Sequence, residues 1–140
     1  MSVEMVEMDV AGVAQLPDGV DVVVLQERGG DRSLGIGVTS HAAAAIGVHL
    51  AGVRLPRPGT YVLVVTVLAG LEGGVLRAVL DDNHTDQAVA FLEVTSARGI
   101  MEFPCAAGDA VAVAAHAGAP VLVHPALFWR DGAPQGQPDG

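Results

Sequence analysis

The segment GDAVAVAAHAGAPVLV, residues 108–123, carries one carboxylate near its start and one histidine near the end of its helix-like part. The pattern predicts a helix on which Asp109 and His116 lie two turns apart, too far for direct contact. Asp109 is the candidate catalytic residue, as a ligand of a metal ion or of water. Structurally, a carboxylate at a helix start bonds free N–H groups, and a histidine stabilises the opposite end. We prefer the structural interpretation of both residues.

A second group of potential ligands occupies the segment DDNHTD. Within these six residues, four side chains are candidate metal ligands, namely Asp81, Asp82, His84 and Asp86. Carboxylates are the groups by which proteins usually hold Mg²⁺, but the spacing is not that of an EF-hand loop. Asp and Asn are also favoured turn residues. We prefer to interpret the segment as a turn between two strands.

Guanidinium groups bind phosphate oxygens well, which makes four arginines candidate phosphate-binding residues: Arg28, Arg32, Arg54 and Arg57. The chain as a whole has a formal net charge of −9. This charge repels nucleic-acid backbones, so nucleic acid is a disfavoured partner. Arginines on an acidic surface are more often solvated or paired. His41 and His49 lack the i, i+4 spacing of a zinc-binding helix, and we interpret both as structural.

Composition indicates a compact globular protein, because 51% of the residues are hydrophobic and 16% are charged. The longest apolar run, YVLVVTVLAGL, is shorter than the roughly 20 residues that span a bilayer, so no membrane partner is expected. The first residues are acidic where a signal peptide is positively charged. The single cysteine, Cys105, suits a reducing compartment. These features predict a cytoplasmic protein.

The chain reads as two similar halves joined by a linking element. Strands are predicted at 5–13, 20–26 and 34–38 in the first half, and at 75–80, 88–95 and 100–103 in the second. A helix follows each set, with Ser40 and Asp109 as candidate caps and Gly52 and Gly118 as left-handed terminators. Superposing these glycines gives an offset of 66 residues, 118 minus 52, which indicates an internal duplication.

In an ordered set of segments, the chain resembles the bifunctional nuclease (BFN) domain family: VEMDVAGV, VVVLQERGGDRSLGIGVTSHAAAAIGVHLAGVRLPRPGTY, VLDDNHTDQAVAFLEV and GDAVAVAAHAGAPVLV. The resemblance covers about residues 3–127. It implies a duplicated three-strand-plus-helix fold, oligomeric assembly and, for some members, hydrolysis of DNA and RNA. It also implies a helix at residues 61–71, where the β-branched residues alone leave strand and helix open.

We therefore predict an α+β fold in which duplicated β-β-β-α halves share a sheet and an additional helix links them. One domain is expected at 1–128, with halves at about 3–53 and 74–120. The linking helix occupies about 60–71, with Thr60 as its candidate cap. A short strand, VLV, follows the second half, and residues 129–140 form a polar tail that we predict to be disordered.

The chain departs from the resemblance at polar positions. The glutamate that usually begins the first repeat helix is replaced by Ala43, and the Thr-His-Asp trio of the linking helix continues after its threonine with Tyr61 and Val62. The Arg-Pro-Ser-Asp before the second repeat helix reads AAGD, so only Asp109 remains. Phosphodiester hydrolysis needs an activated water and charge neutralisation at phosphorus. These departures predict lost or weakened catalysis.

The linking helix is apolar even at positions where an amphipathic linking helix would carry charged residues. Its candidate interface residues are Tyr61, Val62, Val65 and Ala69. An apolar helix of this kind needs a covering partner, which we expect to be a second copy. Our preferred function is therefore a degenerate BFN-family protein, non-catalytic or weakly active, that acts as an oligomeric binding or structural module. The alternative is an active nuclease dependent on Mg²⁺ or Mn²⁺ that uses Asp109 with Asp81 or Asp82.

Overall fold

In a computed structural model, which describes residues 3–82 and 88–129, the chain forms one seven-stranded sheet and three α-helices. The elements of the first half are β1 (Val6–Gln15), β2 (Asp21–Glu27), β3 (Ser33–Val38) and α1 (Ser40–Leu50). After the linking helix α2 (Thr60–Gly70), the remaining elements are β4 (Gly74–Asp82), β5 (Ala88–Ser96), β6 (Gly99–Cys105), α3 (Ala107–Ala117), β7 (Val121–Val123) and a 3₁₀ helix (Pro125–Trp129).

The strands lie in the order β3-β2-β1-β7-β4-β5-β6, which places the two halves side by side in one mixed sheet. Neighbouring strands within each half are antiparallel. Between the halves lies β7, antiparallel to β1 and parallel to β4, with Val121 in register with both Met8 and Ala78. The predicted α+β class is confirmed. The β-β-β-α order occurs in both halves, while its origin in a duplication and the domain boundaries stay predictions.

The centre of the helical layer is α3, which packs against α1, α2 and the strands β4 and β5. Its small residues from Ala110 to Ala114 are all buried. The helix α3 approaches β3 closely at Gly108, where an added Cβ would lie 2.9 Å from the side chain of Val38. Fully buried side chains of the core include Met8, Val23, Leu25, Ile46, Leu80, Val111 and Val123. The sheet and helices thus enclose one apolar core.

The first repeat helix is capped by Thr39 rather than by Ser40. Thr39 has an extended backbone, and its Oγ1 accepts the N–H of Ala42 at 3.2 Å. The prediction of a Ser40 cap is wrong because Ser40 is already the first helical residue. The helix terminators are confirmed, since Gly52 and Gly118 both have φ of 70°.

The other two helices begin without a side-chain cap. Their N-cap residues are Gly59 for α2 and Ala106 for α3. The predictions that Thr60 and Asp109 serve as caps are therefore wrong, because both residues lie inside the first turn. Asp109 keeps the favourable position of a negative charge near a helix N-terminus.

The linking segment is a helix, as the resemblance implies, although its β-branched residues also suit a strand. One side of α2 faces the core, where Tyr61 is buried and Val65 packs against the buried cluster. The other side is open to solvent: Leu63 is 56% exposed, Val67 49%, and Leu71, just after the helix, 70%. We call Leu63, Val67 and Leu71 the α2 stripe.

The 3₁₀ helix after β7 belongs to the core and had no counterpart among the predicted elements. Leu127 and Phe128 are buried, and the Arg32 guanidinium lies 4.7 Å from the centre of the Phe128 ring. The predicted polar tail lies outside the described residues, apart from its first residue, Trp129, which ends this helix. None of the helices in the described part of the chain is long and apolar enough to cross a membrane.

Candidate functional site

The N-termini of the three helices meet around a tyrosine–aspartate pair. Tyr61, the second residue of α2, is buried, and its hydroxyl donates a hydrogen bond of 2.6 Å to Oδ1 of Asp109 in the first turn of α3. His41, the second residue of α1, places its ring centre 5.5 Å from that of Tyr61. Because each helix N-terminus carries partial positive charge, the Asp109 carboxylate is favoured at this meeting point.

The environment of Tyr61 keeps its phenol protonated. Burial and the hydrogen bond to the Asp109 carboxylate together raise the pKa of Tyr61 to about 12. Burial is the larger of the two causes, and the negative charge of Asp109 adds to it. The same charge, after burial, raises the pKa of the Cys105 thiol at the end of β6. At neutral pH both groups are therefore neutral, and neither is activated as a base or a nucleophile.

Three histidines extend the site from Tyr61 along the helices. The ring centre of His116 lies 6.2 Å from that of Tyr61 and 4.6 Å from that of His49 near the end of α1. Nδ1 of His116 donates a hydrogen bond of 2.8 Å to the carbonyl of Ala112, which can only accept. Burial, followed by the charge of His116, lowers the pKa of His49. Asp109 and His116 are thus linked through Tyr61, although they do not touch each other.

A groove runs between α1, α2 and the loop that joins them, and it has two adjacent chambers. The inner chamber has a volume of about 220 Å³, and its lining includes His41, Ala45 and Tyr61. The outer chamber has a volume of about 440 Å³, and its lining includes His49, Arg54 and Arg57. Both chambers share the wall residues Val48, Leu55, Gly59, Val62 and His116. We call the two chambers together the helical groove.

The four predicted phosphate-binding arginines are divided between two places. Arg54 and Arg57 line the outer chamber, and within the described ranges 3–82 and 88–129 neither has an ion-pair partner. Arg28 instead forms ion pairs with Glu7 and Asp9, so it is engaged by acidic neighbours.

Arg32 is also engaged within the chain. Its Nε lies 2.9 Å from Oε1 of Glu27, and this hydrogen bond is the main cause that lowers the pKa of the Glu27 carboxyl. Of the four arginines, the structure therefore leaves only Arg54 and Arg57 with guanidinium groups open to an external anion.

The predicted metal ligands are only partly covered by the described residues. Asp81 and Asp82 end β4, where the Asp82 N–H donates to Oδ1 of Asp81 at 2.8 Å, whereas His84 and Asp86 lie outside the described residues. No three His, Cys, Asp or Glu side chains in the described part of the chain form a group that could hold a metal ion. Asp81, Asp82 and Asp109 are therefore not gathered into such a group, and this trio does not fit Mg²⁺ or Mn²⁺.

The candidate interface residues occupy different sides of α2. Tyr61 is buried inside the chain and Val65 packs against the chain's own core, so neither presents its side chain freely to a second copy. Val62 lines the helical groove, and Ala69 is exposed. The most exposed apolar atoms of this helix belong to the α2 stripe, which sequence reasoning missed because the helix is apolar on every side and periodicity could not distinguish its faces.

Sequence reasoning also missed the link that Tyr61 provides. Its only signal was a departure from the resemblance, since Tyr61 stands where the linking helix of the family has a histidine. Asp109 lies 48 residues further along the chain, and local patterns do not report a contact at that separation.

The fold and the site define an α+β protein in which three helix N-termini converge on one tyrosine–aspartate pair beside a cationic groove. A family model described as the bifunctional nuclease domain matches residues 23–135. Two proteins of Mycobacterium tuberculosis, from strains CDC 1551 and H37Rv and both described as uncharacterized, are 30% identical to the chain over 127 residues. These matches cover 90% of this chain and 76% of each relative. The chain belongs to the bifunctional nuclease domain family.

Proposed function

We propose that this chain is a degenerate member of its family, non-catalytic or weakly active, that works as an oligomeric binding or structural module in the cytoplasm. The hydrogen bond between Tyr61 and Asp109 carries the proposal. It engages the one carboxylate left at the point where the helix N-termini meet. A phenol with a pKa of about 12 does not serve as a general base at neutral pH.

The neighbouring positions support the same conclusion. The resemblance assigns a glutamate, a histidine and an aspartate to the positions of Ala43, Tyr61 and Val62. In this chain Ala43 is a buried apolar residue and Tyr61 is a neutral donor, so the carboxylates that would hold a metal ion or orient a water are missing from these positions. Phosphodiester hydrolysis requires such groups to act together.

Self-association is supported by the exposure of the α2 stripe. Leu63, Val67 and Leu71 follow one another at intervals of four residues, which places them on one side of the helix. A second copy of the chain that packs there would remove this apolar surface from water. The acidic net charge of −9 makes nucleic acid the less favoured partner. The single cysteine suits the reducing environment of the cytoplasm.

The alternative, an active nuclease, is favoured by the family itself, and cleavage is therefore the decisive test. Purified protein is incubated with single-stranded DNA and with RNA in the presence of Mg²⁺, Mn²⁺ or EDTA, beside an Asp109→Ala variant prepared in the same way. We expect no metal-dependent cleavage above that of the variant, while a commercial nuclease cleaves both substrates. Metal-dependent cleavage by the natural chain that Asp109→Ala abolishes would overturn the proposal, provided that circular dichroism shows the variant to be folded.

A further inference from the structure

We infer that the helical groove binds a small amphipathic anion, a molecule with an apolar body and one carboxylate or phosphate head group. This inference rests on the proposed function, to which it adds the class of ligand. The apolar body would lie in the inner chamber and the head group in the outer chamber.

The inner chamber suits an apolar body. Its walls include the side chains of Ala45, Val48, Leu55 and Val62, and Tyr61 lies beside them with its hydroxyl engaged by Asp109. None of the carboxylates in the described part of the chain lines this chamber. A volume of about 220 Å³ exceeds the space of a few waters and suits a short alkyl or aryl group. Transfer of such a group from water into these walls is favourable.

The outer chamber suits a negatively charged head group. Arg54 and Arg57 line it together with His49 and His116, and no carboxylate of residues 3–82 or 88–129 belongs to its lining. Arg28, Arg32 and Arg77 each have a carboxylate oxygen within 2.9 Å, whereas no ion pair joins Arg54 or Arg57 to another described residue. These two guanidinium groups are therefore open to an external anion, to which they can donate paired hydrogen bonds.

The two chambers are adjacent, because Val48, Leu55, Gly59, Val62 and His116 line both. The proposed ligand would place its apolar body in one chamber and its head group in the next. A nucleic-acid strand fits less well, because it needs a cationic track along its backbone and stacking aromatic side chains. The groove offers two arginines and one tyrosine whose hydroxyl is already bonded.

Protonation of the histidines should be linked to binding. His41, His49 and His116 are the titratable groups of the groove besides Tyr61 and the two arginines. Asp109 contacts Tyr61 and lines a different cavity, with Val38 and Thr39. The pKa of His49 lies below its usual value, because of burial first and of His116 second. A bound anion beside His49 would favour its protonated form, so affinity should increase as the pH falls towards 6.

The test measures binding of octanoate and octyl phosphate to the full chain by calorimetry at pH 6 and pH 8, below their micelle concentrations. Octanol and inorganic phosphate serve as controls that each lack one half of the ligand. We expect both octyl anions to bind with one molecule per chain, octanoate more tightly at pH 6 than at pH 8, and each control to bind at least about tenfold more weakly. Equal binding of octanol, or no binding of either octyl anion, would overturn the inference.

Variants locate the site. The double variant Arg54→Gln/Arg57→Gln should weaken binding of both octyl anions by at least about tenfold. Arg98→Gln is the matched control, because Arg98 is also exposed and lies outside both chambers. Ala45→Leu places a larger side chain in the inner chamber and so reduces its free volume. This variant should weaken binding while thermal unfolding shows a native fold. Unchanged binding in the double variant would contradict the inference.

Competition separates the occupants and the two proposals. A single-stranded oligonucleotide that displaces octanoate and binds more tightly would assign the groove to nucleic acid and overturn the inference. If octanoate no longer binds once the chain has self-associated, the groove is occupied by a second copy of the chain. That result would also overturn the inference. Cleavage of DNA or RNA would overturn the proposed function alone, because octanoate binding is measured without metal or nucleic acid.

Discussion

Tyr61 determines what Asp109 can do, since the two side chains share a hydrogen bond of 2.6 Å and the phenol is buried. A carboxylate near a helix N-terminus that accepts a hydrogen bond from a phenol has its partners within the chain and needs no metal ion to satisfy it. The residue that looked like a candidate catalyst in the sequence is therefore part of the contact between α2 and α3. His116 reaches the same contact from the other side of the Tyr61 ring.

The titration of Tyr61 tests this contact directly, because Tyr61 is the only tyrosine in the chain. We expect ultraviolet absorbance to show phenolate formation in the folded protein near pH 12. Asp109→Asn should lower this pKa while leaving it above 10, because burial remains. Because the pKa of Tyr61 is raised in the folded state, the contribution of this residue to the free energy of unfolding is complete up to about pH 10, where the unfolded phenol ionises. That contribution is lost as the pH rises from 10 to 12. Ionisation near pH 10 in the folded protein would contradict the contact.

Elements were more predictable from sequence than were contacts. The predicted strands and the two repeat helices occur, because alternating apolar residues, alanine-rich runs and glycines act locally. The linking helix was predicted only from the family resemblance, since its β-branched residues also suit a strand. Which of two adjacent hydroxyl residues caps α1 could not be predicted: Thr39 and Ser40 have similar propensities, and only the backbone distinguishes them. The Tyr61–Asp109 bond and the helical groove depend on packing between separate helices, which no local pattern reports.

The cap of α1 gives a test at the level of one helix. Thr39→Ala removes the bond to the Ala42 N–H and should lower the free energy of unfolding by about 1 kcal/mol in urea denaturation. Ser40→Ala is the matched control and should change it by less than about 0.5 kcal/mol. A larger loss of unfolding free energy for Ser40→Ala than for Thr39→Ala would contradict the Thr39 cap and support Ser40, the cap that the sequence alone predicts.

The position of α3 gives a second test. Gly108→Ala places a Cβ 2.9 Å from the Val38 side chain and 3.3 Å from the Cβ of Ala42. We expect the crowding to cost about 1 to 3 kcal/mol, more than the helix propensity gained. Gly47→Ala, inside α1, places its Cβ 3.4 Å from Val13, an ordinary contact, and should be neutral or stabilising. Equal unfolding free energies for the two variants would show that α3 does not approach β3 this closely.

At the scale of the whole molecule, charge and apolar surface are unevenly distributed. The chain has a net charge of −9, yet the helical groove collects three histidines and two arginines. The α2 stripe adds exposed apolar residues to the same helical side of the molecule. Small anions are attracted to the groove, whereas long polyanions also meet the acidic remainder of the surface.

Self-association through the α2 stripe is testable by light scattering at micromolar concentration. We expect the natural chain to form a multimer and Leu63→Gln/Val67→Gln to shift it towards the monomer, because the double variant removes exposed apolar surface from α2. Ile100→Gln is the matched control, because Ile100 is 65% exposed and lies on the edge strand β6, two strands away from β4, the strand that α2 contacts. A monomeric natural chain, or dissociation by Ile100→Gln alone, would contradict an interface on α2.

The central place of β7 has a consequence for biosynthesis. Residues 121–123 form the strand between β1 and β4. The two halves of the sheet therefore cannot join until more than a hundred residues after β1 have left the ribosome. During that interval the inner edge of β1 presents unpaired backbone groups. Pairing over so long a sequence separation is slow. A nascent chain stalled before Val121 should therefore be a target for chaperones or for edge-to-edge aggregation, even though six of its seven strands are already made.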